Sequence, residues 1–342
     1  MKTQTEIGTN TRLHVGLKII PYGEKNDLMR YLISIVFFVC FGNVSAQEIS
    51  YRDEMRSFVS EISAYAKERN SNFYIVPQNG IELIAVDGDL SQPLHMNYIN
   101  AIDGHAQESL FFSHQFMSRL SQKRRSDYLI PYYSKLKSLE KLILITDYSS
   151  NPVKQSESAQ KNAALGFVSY AASNKRLSKI QKLNFTKSNT SVESLLDVSN
   201  FLYLINPENF ENKEDYIEGL AQTSYDLFVI DLFFREEQLN AQDLQKLKRK
   251  PDGSSRIVLS YMSIGEAEDY RFYWNEDWYY NTPNWLMEEN PSWKGNYVVQ
   301  YWNEQWKNII FGSTNAYLDL IIQSGFDGVY LDIIDAFEYF EK

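Results

Sequence analysis

Eight short runs rich in Val, Ile, Leu, Phe and Tyr recur between residues 73 and 333, each ending in polar or acidic residues. They fall at 73–76, 99–102, 142–146, 166–170, 201–205, 227–230, 257–262 and 329–333. Continuous apolar runs of this length are what strands covered on both faces show, as in a parallel sheet flanked by helices. Segments of helical period lie among them at 51–69, 128–139, 213–221, 241–248 and 304–323. In the first, Met55, Phe58, Val59, Ile62, Tyr65 and Ala66 share one face, while Glu54, Glu61, Lys67 and Glu68 share the other. This alternation predicts an α/β chain folded as a (β/α)8 TIM barrel, a single domain over 47–342, with a doubly wound open sheet as the alternative. No GxGxxG follows any run, so a dinucleotide site has little support. The polar stretch 184–191 reads as a loop or linker.

The balance of 44% hydrophobic and 23% charged residues in 342 is ordinary for a globular chain. Lys and Arg number 34 against 44 Asp and Glu, a net charge of −10, which repels a phosphate backbone and argues against a nucleic-acid partner. The basic cluster Lys123-Arg124-Arg125 reads as a solvated loop or helix start. Aromatic residues make 15% of the chain, and Tyr and Trp suit both interior packing and the flat faces of sugar rings.

Met29-Arg30, an eleven-residue run at 31–41 that is apolar except for Ser34, and the small residues before Gln47 read as a secretory signal at 29–46, cut after Ala46. The run is too short for a membrane-spanning helix, which needs about twenty residues, so export to the periplasm or the exterior is expected without stable membrane insertion. Residues 1–28 are then an extension ahead of a natural start at Met29. The sole cysteine, Cys40, lies inside the signal, and a mature chain without cysteine has no disulfide, thiolate metal site or cysteine nucleophile.

Active sites of such barrels lie at the carboxyl ends of the strands. There the chain sets Asp231, Glu266, Asp332, Asp147, Asn79 and Glu108. Any one of these is also a suitable helix cap. Together they offer the paired carboxyl groups that glycoside hydrolysis needs, one to protonate the leaving oxygen and one as base or nucleophile. Asp335, Glu338 and Glu341 read as the solvated start of a helix. The four histidines have no HExxH or other ligand spacing, so no metal or cofactor is expected; only His105 is a candidate to face the site. The stretch 270–302 holds five of the six tryptophans, with Tyr270 and Trp274 near its start. It is expected either to wall the barrel mouth with sugar-stacking platforms or to pack on itself.

Three segments carry a family resemblance: residues 258–274, which include Ser263-Ile-Gly-Glu266; 325–332, reading Gly-Phe-Asp-Gly-Val-Tyr-Leu-Asp; and 73–80, reading Phe-Tyr-Ile-Val-Pro-Gln-Asn-Gly. With the supporting pieces at 102–112, 145–148, 166–170 and 226–231, they resemble glycoside hydrolase family 114, in the branch once taken for relatives of cysteinyl-tRNA synthetase. The resemblance implies a TIM barrel and endo-α-1,4-polygalactosaminidase-like action on a galactosamine-containing polysaccharide. It implies a catalytic pair at Asp332 and Glu108; the strand-end residues Asp231, Glu266, Asp147, Tyr148 and Asn79, with Tyr270 and Trp274 of the aromatic stretch, are then expected to bind substrate. Around Glu108 the chain reads His105-Ala-Gln-Glu-Ser109, where the family pattern would read nearer Gly-Val-Glu-Asp. Family members run from the 201–205 type of strand through Asp332 and on to the 73–76 and 142–146 types. Here the second half comes first, so the resemblance implies a circularly permuted order in which 337–342 would continue into 49–54. A barrel that keeps the aromatic wall but lacks a productive pair, a non-catalytic glycan binder, is the competing reading.

Overall fold

A computed structural model of the chain describes residues 49–113, 118–181 and 190–341. The signal read at 29–46, the extension 1–28 and most of the 184–191 stretch lie outside the described residues. Eight parallel strands form the centre: β1 (Tyr74–Pro77), β2 (Gly104–Glu108), β3 (Leu142–Tyr148), β4 (Val168–Ala172), β5 (Phe201–Leu204), β6 (Leu227–Ile230), β7 (Ile257–Ser263) and β8 (Gly328–Asp332). Two ladders share them, one in the order β1-β8-β7-β6-β5 and one in the order β2-β3-β4. β1 adjoins β2 through the parallel bridge of Gln78 with Ala106, and Asp103 N donates to Ile75 O at 2.8 Å. β4 lies beside β5, where the rings of Tyr170 and Phe201 are 5.8 Å apart. The strands thus follow one another around the barrel in chain order, as the alternation predicts. β5, β6 and β7 are buried at every residue, which is why they read as unbroken apolar runs.

The helices follow local chemistry. In α1 (Tyr51–Arg69), Ser50 caps the amino end by accepting from Asp53 N, with Asp53 and Glu54 in the first turn and Lys67 and Arg69 in the last. It buries Met55, Phe58, Val59, Ile62 and Ala66, a stripe worth roughly 1.5–3 kcal/mol for each large side chain. The other helices are α2 (Met96–Ala101), α3 (Arg119–Lys137), α4 (Pro152–Leu165), α5 (Lys213–Ala221), α6 (Ala241–Leu247), α7 (Glu304–Ile310), α8 (Tyr317–Ser324) and α9 (Phe337–Phe340). Among the described residues no helix is long and apolar enough to cross a membrane.

Three expectations are corrected. The run 99–102 is the end of α2, not a strand; Tyr98 and Ile99 are buried at helical spacing, and the strand follows at Gly104–Glu108. That strand escapes an apolar pattern because the buried His105 and Gln107 alternate with small residues. The segment 128–139 begins earlier, at the Ser118 cap of α3, and the Lys123-Arg124-Arg125 cluster lies exposed on that helix. The segment 304–323 is two helices, α7 and α8, broken where Gly312 takes φ +106°. Helix α4 has no apolar stripe to announce it, since its buried residues are Ser158 and Asn162; Asn151, Pro152 and the left-handed Gly166 mark its ends. α9 adjoins α1: Phe340 stacks on Tyr51 at 5.3 Å, and Arg52 donates to Glu341 through Nε and Nη2.

Candidate active site

A cavity of about 630 Å³ opens at the carboxyl ends of the strands, lined by Asn79, Glu108, Tyr148, Asp231, Glu266, Tyr270 and Asp332 among others. A neighbouring hollow of about 520 Å³ shares Asp231, Tyr270 and Arg271 and extends towards Phe233 and Phe272. Together they make an elongated cleft.

Asp332 closes β8. Its Oδ1 accepts from Gln78 Nε2 at 2.7 Å and Ile333 N at 2.9 Å, and its Oδ2 accepts from Tyr261 OH at 2.8 Å. Burial pushes its pKa up, and these three donors pull against that rise. Glu108 closes β2, with β1 between it and β8. Burial, and then the charge of Asp332, push its carboxyl up to about 7, while Tyr148 OH, donating to Oε1, opposes the shift. The neighbouring carboxyls therefore have unlike surroundings: Asp332 is held by three donors and Glu108 by one phenol.

The backbone sets these positions. Asn79, at φ +63°, turns its Oδ1 to accept from Glu108 N at 3.2 Å and Gln107 Nε2 at 2.8 Å, so it fixes the end of β2 as well as lining the cavity. Ile333, at φ +59°, turns the chain directly after Asp332 and brings Asp335 onto the cavity. A Cβ on Gly265 would collide with the Ile333 carbonyl and stand 2.7 Å from Ala336 Cβ, so a glycine is required where β7 leaves the barrel.

Around the pair, Glu266 is held by Asn290 Nδ2 at 2.7 Å and Asn296 Nδ2 at 3.2 Å. Arg271 clamps Asp231 through Nη1 at 2.9 and 2.7 Å and reaches Glu268 with Nε at 2.5 Å. Tyr270 OH donates to the other oxygen of Glu268 at 2.7 Å. Burial raises the pKa of Asp231, with Arg271 opposing; burial likewise raises that of Glu266, with Asn290 and Asn296 opposing.

Two expected substrate ligands lie elsewhere. Asp147 is fully buried outside the cavity lining, its oxygens taken by Phe111 N at 2.8 Å, Phe112 N at 3.0 Å, Ser158 Oγ at 2.6 Å and Asn162 Nδ2 at 3.2 Å. It ties the loop after β2 to α4. Trp274 packs against Trp278, Tyr279 and Tyr297 at 5.0–5.3 Å, inside the small core of the aromatic stretch. That stretch is built on an antiparallel sheet of Glu266–Glu268, Asn296–Val299 and Leu286–Glu289. It does both things expected of it: much of it packs on itself, while Tyr270 and Trp293 line the cavity. His105 is buried away from the site against Tyr133, and burial drives its pKa down to about 3.

Several cavity residues were not anticipated. Asp335 is not a solvated helix start: it lines the cavity, and burial followed by the charges of Asp332 and Glu338 raises its carboxyl to about 8. Its spacing of three from Asp332, across a left-handed residue, was the available signal. Tyr261 was hidden inside a run, and Gln78, which holds Asp332 without lining the cavity, at the end of one. Arg271 fell within the aromatic stretch, and Glu268 just before it, without a pattern of their own. Among the described residues, no group of three or more His, Cys, Asp or Glu is placed to hold a metal ion.

Residues 182–342 match the profile of glycoside-hydrolase family GH114. An uncharacterized protein of Methanocaldococcus jannaschii is 46% identical over 129 residues, covering 37% of this chain and 35% of the relative. One of Thermotoga maritima, also uncharacterized, is 43% identical over 123 residues, 36% of each chain. The chain thus spans about a third of the length of the curated relatives it matches. The family match carries β5 to β8 with Asp231, Glu266 and Asp332, whereas Asn79, Glu108 and Tyr148 come from the strands before it. Residues 182–342 supply β5 to β8, half of this barrel, and the likeness to glycoside-hydrolase family GH114 rests on that half.

Proposed function

We propose that this protein is a glycoside hydrolase that cleaves an α-linked, amino-sugar-containing polysaccharide of polygalactosamine type, with Glu108 and Asp332 as its two carboxyl groups. The observation that carries the reading is their unlike environment on one cavity. Glu108, raised to about 7, keeps a proton to give to the leaving glycosidic oxygen. Asp332, with donors from Gln78, Tyr261 and Ile333, is the better stabilised carboxylate and acts as base or nucleophile. Glu266, held by the neutral amides of Asn290 and Asn296 and not by a cation, suits an ammonium-bearing sugar, and the elongated form of the cleft suits a polymer. The reading at residues 29–46 supports action outside the cytoplasm. A permuted strand order belongs to the same proposal, supported by the contact of α9 with α1 and by a family match confined to 182–342.

The test is release of oligosaccharides from partly deacetylated α-1,4-polygalactosamine by the purified chain and by its Asp332→Asn and Glu108→Gln variants. Each variant is expected to lose at least about a thousandfold in rate. Cleavage that survives Glu108→Gln would remove Glu108 from the pair. Polymer binding without cleavage by the folded parent would favour the non-catalytic glycan-binding barrel.

A further inference from the structure

Four cations line the catalytic cavity: Lys175, Arg176, Arg271 and Lys294. Arg271 is committed to Asp231 and Glu268, and Arg176 is paired with Glu208. Lys175 and Lys294 have no carboxylate partner among the described residues. The two come from different sides of the barrel, Lys175 from the turn after β4 and Lys294 from the turn joining Leu286–Glu289 to Asn296–Val299. Both line the cavity beside Trp293, whose ring lies 5.0 Å from Lys175 Nζ and which remains 43% exposed.

The turn that presents Trp293 is held by its own hydrogen bonds. Trp293 N donates to Asn290 O and Asn296 N to Trp293 O, each at 3.1 Å, and Gly295 N donates to Glu289 Oε1 at 2.7 Å. The same Asn290 and Asn296 clamp Glu266 on the cavity wall. The indole is thus an exposed flat platform fixed to the cavity, with the Lys175 ammonium beside it and Lys294, which also lines the cavity, next to it in the chain.

We propose that Trp293, Lys175 and Lys294 form a subsite for an acidic sugar unit, one bearing a carboxylate, on the same polymer whose scissile bond lies over Glu108 and Asp332. The ring face of the sugar stacks on the indole, and its carboxylate takes the two lysines. A second ammonium-bearing unit is repelled there. The preferred polymer therefore alternates in charge, an amino sugar over the carboxylates and an acidic sugar at the rim. This rests on reading the cavity as a carbohydrate cleft, but it does not require that the pair be catalytically competent.

The test measures binding of α-1,4-linked tetragalacturonate and of its methyl ester to the full chain by calorimetry and tryptophan fluorescence. The acid is expected to bind about tenfold more tightly than the ester at low salt, a preference that shrinks as salt is raised. The Lys175→Gln/Lys294→Gln double variant should bind the two alike, and Trp293→Ala should weaken both by about tenfold. Thermal melts of the variants report their folding. Equal binding of acid and ester by the parent, a preference that survives the double variant, or no binding of either ligand overturns the proposal. Polygalactosamine cleavage is assayed separately: a parent that prefers the acid but cleaves nothing keeps the subsite and loses the catalytic reading.

Discussion

β3 and β8 end alike in sequence, an apolar run closed by aspartate: Leu-Ile-Leu-Ile-Thr-Asp147 in one and Gly-Val-Tyr-Leu-Asp332 in the other. Their carboxylates do opposite work. Asp332 shares its face of the strand with Tyr330, whose ring meets Tyr203 at 5.0 Å inside the barrel, and so it opens onto the cavity. In β3 it is Tyr148 that lines the cavity, and with a period of two its neighbour Asp147 points outward to α4. A shift of one residue in where the strand ends relative to its pleat separates a candidate catalytic group from a structural anchor.

The largest effects should come from exchanging these two roles. Asp332→Asn is expected to lose at least about a thousandfold in polysaccharide cleavage with little change in melting temperature. Asp147→Ala leaves two backbone N–H groups, Ser158 and Asn162 without their acceptor and should cost about 3 kcal/mol of stability, read by urea unfolding. The folded fraction of that variant should keep cleavage within a few-fold of the parent. Loss of catalysis without loss of stability in Asp147→Ala would put it back among the site residues.

A second, smaller effect tests how the turn after β8 is placed. Gly265→Ala must push against the Ile333 carbonyl and so displace Asp332 and Asp335 together. A shift of that kind is expected to reduce cleavage by about a hundredfold, against a destabilisation of about 1–3 kcal/mol. Unaltered activity would mean that the turn yields without moving the pair.

The smallest effects are in pH dependence. With Glu108 as proton donor near 7, cleavage should fall as pH rises through about 7, the pair and Asp335 titrating as a coupled set. Asp335 binds its proton more tightly in the folded chain, near 8, than the ordinary value of 3.8. The native state therefore holds more protons than the unfolded one between those limits, and stability is lost as pH rises through that window. Asp335→Asn stays neutral throughout, so its melting temperature should gain on the parent's between pH 5 and pH 8. A gap that does not change with pH would remove Asp335 from the buried set.

Much of the barrel was legible because strands buried on both faces must be apolar throughout. β5, β6 and β7 could be read directly, whereas β2 could not, because Gln107 and His105 are polar yet buried. Gln107 hydrogen-bonds to Asn79 and Tyr133, and such compensation has no signature along the chain. Helix α4 was illegible for a related reason: it packs through Ser158 and Asn162, which answer to Asp147. The acidic strand ends were visible, but not which of them faced the cavity.

The sequence by itself determined the alternation of strand and helix, the likeness of its second half to GH114, and the carboxylates at the strand ends, since each depends on residues near one another along the chain. Tertiary structure alone decided that Asp332 faces inward and Asp147 outward, that Asp335 is drawn onto the cavity, and that Lys175 reaches Trp293 across the mouth. Those outcomes depend on pleat, on one left-handed turn at Ile333, and on loops from distant strands meeting in space.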